Sequence, residues 1–258
     1  LHRWRGHIQD VRVVLRAMLI PLPLMALIFF EPDFGTTAII GGLAALMLFV
    51  AGMNARHIAV AAGAGLIVGV PMMVMEEYRV RRLFSFLDPW KNAQGDGYHT
   101  IQSWLAMHSG GLWGQGLGNS IAKLHFLPEP WTDYIGAVIG EELGFSMLVV
   151  LIGLYGMLVW RGLYIASRAR DAFSSYLAVA ITSMLGFEAF FNLGVILGLL
   201  PPKGLVLPFI SYGSTAMMSN LWAIGILLSI AAEADETPIS AGWARPTPVR
   251  RPAAATGK

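Results

Sequence analysis

Six apolar runs, at residues 14–30, 36–53, 57–75, 135–160, 176–200 and 208–231, constrain this chain more than any other feature. A helix crosses a bilayer with about 20 mostly apolar residues. Inside lipid, backbone amides and carbonyls must pair within the protein, which a continuous helix does by itself. Charged residues make up 13% of the 258, about half the usual share of a soluble domain. The sequence therefore predicts an all-α integral membrane protein with six transmembrane helices. Residues 1–232 form the polytopic membrane domain, and a Pro-, Ala- and Arg-rich tail at 233–258 is expected to be disordered. The first run is short and holds Pro21 and Pro23, so a kink or an extension toward Val11 is expected.

A long polar segment, 76–134, separates the third run from the fourth. With the N-terminus placed in the cytoplasm, twelve Lys and Arg fall on inner segments and six on outer ones. That bias makes the long loop extracytoplasmic and both chain ends cytoplasmic. There is no Cys, which excludes disulfides and thiolate metal sites, and a net charge of +2 gives no footprint for nucleic acid. The six His show no metal-ligand spacing. The chain starts at Leu1 and its first residues are cationic and polar, without the pattern of a signal peptide. A fragment lacking its natural N-terminus is the expectation.

The polar residues near the apolar runs carry the chemistry. In "FLPEPWTDYIGAVIGEELGF", 126–145, Asp133 closes the loop and Glu141 and Glu142 fall inside the next run. Helical periodicity places Asp133, Gly136, Ala137, Gly140 and Gly144 on one stripe, a small-residue face suited to close helix packing. An N-cap role and a functional role are both open for Asp133. Glu141 and Glu142 read as structural acids, or as steps in a proton or ion route together with Glu188, which has Asn192 one turn on. In "YRVRRLFSF", Arg79, Arg81 and Arg82 suit either phosphate binding or anchoring to lipid head groups. The glycines of "GGLWGQGLGNS" lack the strand and the Gly-Lys-Ser/Thr of a nucleotide loop, so they serve tight turns. Lys123 is a further phosphate contact or a solvated charge. "YHTIQSWLAMHS" sets Ile101, Trp104, Leu105 and His108 on one face. It reads equally as a helix lying on the membrane and as a packed loop helix.

Long blocks of the chain resemble the SEDS family (shape, elongation, division, sporulation). They are "EPDFGTT" at 31–37, "RRLFSFLDPWKNAQGDGYHTIQS" at 81–103, "GGLWGQGLGNSIAKLHFLPEPWTDYIGAVIGEELGF" at 110–145 and "NLGVILGLLPPKGLVLPFISYG" at 192–213. "GLWGQGLGNS" is more like the family's division members than its elongation members. The resemblance implies a ten-helix protein of the bacterial cytoplasmic membrane, active at the division septum, of which this chain holds the fifth to tenth helices. It implies polymerisation of lipid II, a lipid-diphosphate-linked disaccharide pentapeptide, into peptidoglycan glycan strands. Its implied partners are a class B penicillin-binding transpeptidase and divisome regulators.

Asp133 occupies the position of the family's essential aspartate. The attacking hydroxyl needs a base. The leaving diphosphate needs positive charge, from Arg79, Arg81, Arg82 and Lys123 or from a divalent cation, Mg or Mn. Glu142 and Lys203 complete the candidate substrate contacts. No motif calls for another cofactor. The chain departs from the family at Glu188, where Gln is common, and at Ser211-Tyr212-Gly213-Ser214-Thr215, where Ser-Tyr-Gly-Gly-Ser is common. A lipid II flippase working through Glu141, Glu142 and Glu188, and a non-catalytic scaffold that recruits a transpeptidase, are the alternatives.

Overall fold

The computed structural model describes residues 11–235 except 32, 76, 96 and 128, and a few further side chains within helices are also left undescribed. Nine α-helices make up the described chain: α1 (Val11–Ala17), α2 (Pro21–Phe30), α3 (Phe34–Val50), α4 (Ala55–Val74), α5 (Glu77–Leu87), α6 (Tyr98–Gly110), α7 (Ile135–Arg168), α8 (Ala172–Ile196) and α9 (Ser214–Asp235). A 3₁₀ turn at Pro89–Asn92 and a π-turn at Ala122–Phe126 lie in the long loop. α7, α8 and α9 are each long and apolar enough to cross a membrane, while α2, α3 and α4 contribute shorter apolar stretches. The first run is broken as its prolines predict: α1 ends at Ala17, and α2 starts at Pro21, which has no amide to continue the ladder. α9 runs to Asp235, past the expected start of the tail at Glu233, and the tail beyond lies outside the described residues.

α7 and α8 form the centre, with α9 closing one side and α3 packed on α8. Where α7, α8 and α9 meet, Ala178, Leu185, Ala223 and Leu227 form a buried core. At one end of the bundle Val13, Leu48 and Ala51 pack with Tyr176, near the start of α8. The far end of α8 meets the long loop, where Ala106, Leu127 and Tyr134 pack with Ala137, Val195 and Ile196. The turn between α2 and α3 lies at this second end as well, because Asp33 pairs there with Lys203.

α7 is two helices joined at an elbow. Gly144 has φ 82° and ψ 173°, far from helical values, in a region that only glycine occupies readily. A Cβ at Gly140 would lie 3.0 Å from Leu148 Cδ1, yet eight residues of straight helix would separate the two Cα atoms by about 12 Å. Ile135 and Ile139 pack against the cluster that includes Leu151, Tyr155 and Leu193. The short arm therefore folds back beside the long one. The backbone groups freed at the elbow are taken up by the loop. Phe145 N donates to Gly111 O (2.9 Å) and Ser146 N to Leu112 O (3.2 Å), while Gln115 N and Gly116 N donate to Glu141 O (3.0 Å) and Glu142 O (2.9 Å). This corrects the continuous small-residue stripe: Gly136 and Gly140 do meet neighbours closely, but Gly144 makes the bend.

The packed-loop reading of α6 prevails over the surface-helix one. Thr100, Ile101, Ser103, Ala106 and Gly110 are buried, whereas Leu105 and His108 are exposed. Small residues let α6 lie close to α7, with Gly110 directly against the backbone of Gly140 and Glu141.

Candidate active site

Three backbone carbonyls fix the segment that carries Asp133. Trp131 O accepts from Tyr212 N (2.8 Å), Thr132 O from Ser211 Oγ (2.6 Å), and Asp133 O from Asn192 Nδ2 (2.9 Å). Asn192 Nδ2 also donates to Leu205 O, so one amide ties the Asp133 segment, α8 and the α8–α9 loop together. Next in sequence, Tyr134 is buried and stacks on His99, with ring centroids 6.0 Å apart. The N-cap of α7 is Tyr134, with no side-chain capping hydrogen bond. The cap position thus falls one residue past Asp133. Its carboxylate is half-buried and turned toward Gly204, where a Cβ would lie 2.9 Å from Asp133 Oδ2.

Replacing Asn192 by Leu, close in volume, should cost about 1–3 kcal/mol because two carbonyls lose a donor in a buried place. Thermal melting of the detergent-purified protein reads this directly. An unchanged melting temperature would show that the Asp133 segment is held by other means.

Lys203 is the neighbour of Gly204. Its Nζ pairs with Asp33 Oδ1 (3.0 Å) and donates to Thr36 Oγ1 (2.7 Å). Gly35 makes room for the lysine stem, which a side chain there would strike. "EPDFGTT" thus has a mechanical meaning. Asp33 caps α3 by accepting from Thr36 N (3.0 Å) and Thr36 Oγ1 (2.5 Å), and the same carboxylate receives Lys203. Partial burial pushes the Asp33 carboxyl up. The Thr36 hydroxyl and amide and the Lys203 ammonium outweigh that and hold it at about 2, against an ordinary 3.8. A lowered folded-state value stabilises the fold above the ordinary value, and the gain is lost as pH falls through the folded one. Between about pH 4 and pH 2 the parent should lose stability that an Asp33→Asn variant never had. Melting curves across that range test this, and parallel curves would disprove the linkage.

Glu141 and Glu142 sit at the elbow. Glu141 is buried and accepts from Ser120 Oγ (2.5 Å), Ile121 N (3.1 Å) and Ala122 N (3.2 Å), which caps the π-turn. Glu142 pairs with Lys123 at 2.6 Å, both side chains largely enclosed. Nine residues of helix set this pair about 13 Å along the arm from Asp133. Both glutamates fasten the loop to the elbow. Glu188 stays within α8, where its Oε2 is buried with no hydrogen-bond partner among the described residues.

Of the other candidates, Arg81 lies exposed on α5, which packs on α4 and the 3₁₀ turn. The side chains of Arg79 and Arg82 lie outside those described. Lys203 is brought beside Asp133 through Gly204, whereas Lys123 and Glu142 are brought to each other. Sequence reasoning gave no role to Asp33 or Gly204, named Ser211 only within the segment compared with the family pattern, and cited Asn192 only as a neighbour of Glu188. All four lie inside the quoted blocks, as polar or glycine residues at the ends of apolar runs. Among the described residues no three His, Asp or Glu side chains gather at metal-binding distance.

A bundle of apolar spans with a half-buried carboxylate on a segment held by backbone anchors defines a polytopic membrane protein with a candidate site. The chain belongs to the FtsW/RodA/SpoVE family, described as "Cell cycle protein", which matches residues 4–236. It is 44% identical over 220 residues to the probable peptidoglycan glycosyltransferase FtsW of Geobacter metallireducens, covering 83% of this chain and 57% of that protein. It is 39% identical over 226 residues to the stage V sporulation protein E of Bacillus subtilis, covering 88% of this chain and 60% of that protein. The chain thus spans well under two thirds of these curated relatives. Its structure is similar to one described as "Structural coordination of polymerization and crosslinking by a peptidoglycan synthase complex" (TM-score 0.69, 25% identity, 90% of this chain and 67% of that one). It is also similar to the rod shape determining protein RodA of Thermus thermophilus (TM-score 0.59, 26% identity, 92% and 62%).

Proposed function

We propose that the protein carrying this chain is a peptidoglycan glycosyltransferase that polymerises lipid II, and that Asp133 is its general base. The observation that carries this reading is the placement of Asp133: three backbone anchors hold its segment while its half-buried carboxylate is turned toward Gly204. The family membership and the names of the relatives support the substrate class.

In the reaction, the sugar hydroxyl of one lipid-linked disaccharide attacks the anomeric carbon of another. A new C–O bond forms, the bond to the lipid diphosphate breaks, and the electron pair leaves with the diphosphate. The hydroxyl proton passes to the Asp133 carboxylate. Positive charge near the diphosphate lowers the barrier as negative charge builds there. Arg81, with Arg79 and Arg82 on the same helix, is assigned that task. Lys203 holds the Gly204 wall of the site through Asp33. No step is routed through a divalent cation. The Lys/Arg asymmetry orients the Asp133 end outward from a bacterial cytoplasmic membrane, with both chain ends inside. A transpeptidase that cross-links the product is the proposed partner, since the similar solved complex couples polymerization with crosslinking. Division regulators as further partners and a septal location belong to the same proposal, supported by the likeness to FtsW.

Transport of lipid II fits less well. Glu141 and Glu142 are tied into the elbow, which leaves Glu188 as the one acid in the apolar length of α7, α8 and α9. The deciding experiment reconstitutes the full-length protein with purified lipid II. A ladder of glycan products is expected, and lipid movement across the bilayer with no polymer would overturn the assignment.

A further inference from the structure

The end of the bundle remote from Asp133 carries a second candidate site. A groove of about 300 Å³ runs between α7 and α9, lined by Leu158, Arg161, Tyr164, Arg168, Ile224 and Leu227 among others, with no acidic residue in its wall. Its floor is the core where α7, α8 and α9 meet. On α7 it extends from Leu158 to Arg168 and on α9 from Ile224 to Ala234, about 15 Å along each helix. One stretch of the wall is therefore apolar for the length of an acyl-chain segment, and the other is cationic.

The cations are organised. The Arg161 guanidinium lies 5.5 Å from the centre of the Tyr164 ring and the Arg168 guanidinium 4.6 Å from it. Two positive charges thus share one aromatic ring, and among the described residues neither pairs with a carboxylate. Their mutual repulsion favours any anion that comes between them. The depth is that of a membrane surface. From the elbow to Tyr164 the long arm of α7 has 20 residues, about 30 Å, which matches the hydrocarbon thickness of a bilayer. Trp160 and Tyr164 are exposed on this stretch, as interfacial aromatics are.

An anionic head at the rim with an apolar tail below it is the chemistry of an acidic phospholipid. We propose that this groove binds one anionic phospholipid, its phosphate held by Arg161 and Arg168 and an acyl chain laid along the apolar wall between α7 and α9. Basic pockets between spanning helices are known to take such head groups. A soluble anion would leave the apolar wall unused, and a zwitterionic lipid would bring its own cation up against the two arginines.

The test uses the full-length protein, delipidated in detergent. Phosphatidylglycerol should raise its melting temperature and be retained as a one-to-one adduct in native mass spectrometry. Phosphatidylcholine, glycerol phosphate and inorganic phosphate should do neither. The Arg161→Gln/Arg168→Gln double variant should bind phosphatidylglycerol about tenfold or more weakly, as lost charge-assisted contacts require. Arg161→Lys/Arg168→Lys, which keeps the charge and safeguards folding, should retain part of the affinity. Arg170→Gln, outside the groove, should retain all of it. Equal binding of phosphatidylcholine, equal stabilisation by the soluble phosphates, or undiminished binding by the double Gln variant would each overturn the proposal.

Discussion

Asp133→Asn should lower glycan polymerisation by about a hundredfold or more, while the melting temperature of the purified protein stays near that of the parent. General-base catalysis is worth about 10²–10⁴ in rate, and an amide of the same shape cannot take the hydroxyl proton. The fold should tolerate the change because the anchors of this segment are backbone carbonyls: Trp131, Thr132 and Asp133 offer oxygens that a side-chain substitution leaves in place. The carboxylate lies against Gly204, and Asn presents the same bulk there. Polymerisation by purified Asp133→Asn within a few fold of the parent would remove Asp133 from the chemistry. Lost activity with a collapsed melting curve would instead make it a structural residue.

Gly144→Ala should be strongly destabilising for so small a substitution. It combines two penalties. The backbone at φ 82°, ψ 173° belongs to a region that costs other residues about 1–3 kcal/mol. The new Cβ would also collide with the Leu112 carbonyl and the Gly114 amide, which are backbone and cannot rotate away. Either the elbow opens or the loop detaches, and both break the hydrogen bonds from Phe145 and Ser146. Loss of several degrees in melting temperature, or failure to purify as a folded species, is expected. As a control, Gly153→Ala, with open space around its Cα, should gain slightly through helix propensity. If Gly144→Ala melts with the parent, the elbow is not the bend described.

The spans were legible because lipid imposes a length and a polarity that show directly in sequence. Four of the six runs coincide with single helices, to within a few residues at most ends, while the first is broken between α1 and α2 and the fourth at the Gly144 elbow. Asp133 was legible as a polar residue at the edge of such a run. The exact cap position was not, because only backbone dihedrals reveal that the cap falls on Tyr134. Gly144 misled for a related reason. A glycine four residues after Gly140 fits a packing stripe by periodicity, and nothing local distinguishes a close contact from a reversal. The elbow is decided by Leu112 and Gly114, which lie far away in the chain. The Lys203–Asp33 pair was illegible on the same grounds, since 170 residues separate the partners and no periodic pattern relates them.

That separation has a consequence for biosynthesis. Asp33 leaves the ribosome long before Lys203 does. At about 5–20 residues per second the wait is roughly 10–30 s. During that interval Thr36 alone supplies the local partner of Asp33, which suffices to start α3 in the membrane. The wall beside Asp133 needs Gly204, Ser211 and Tyr212, and these emerge later still. The Asp133 end is therefore completed late, from segments made far apart in time. A nascent chain stalled anywhere before the α8–α9 loop has its earlier helices but not the completed wall beside Asp133.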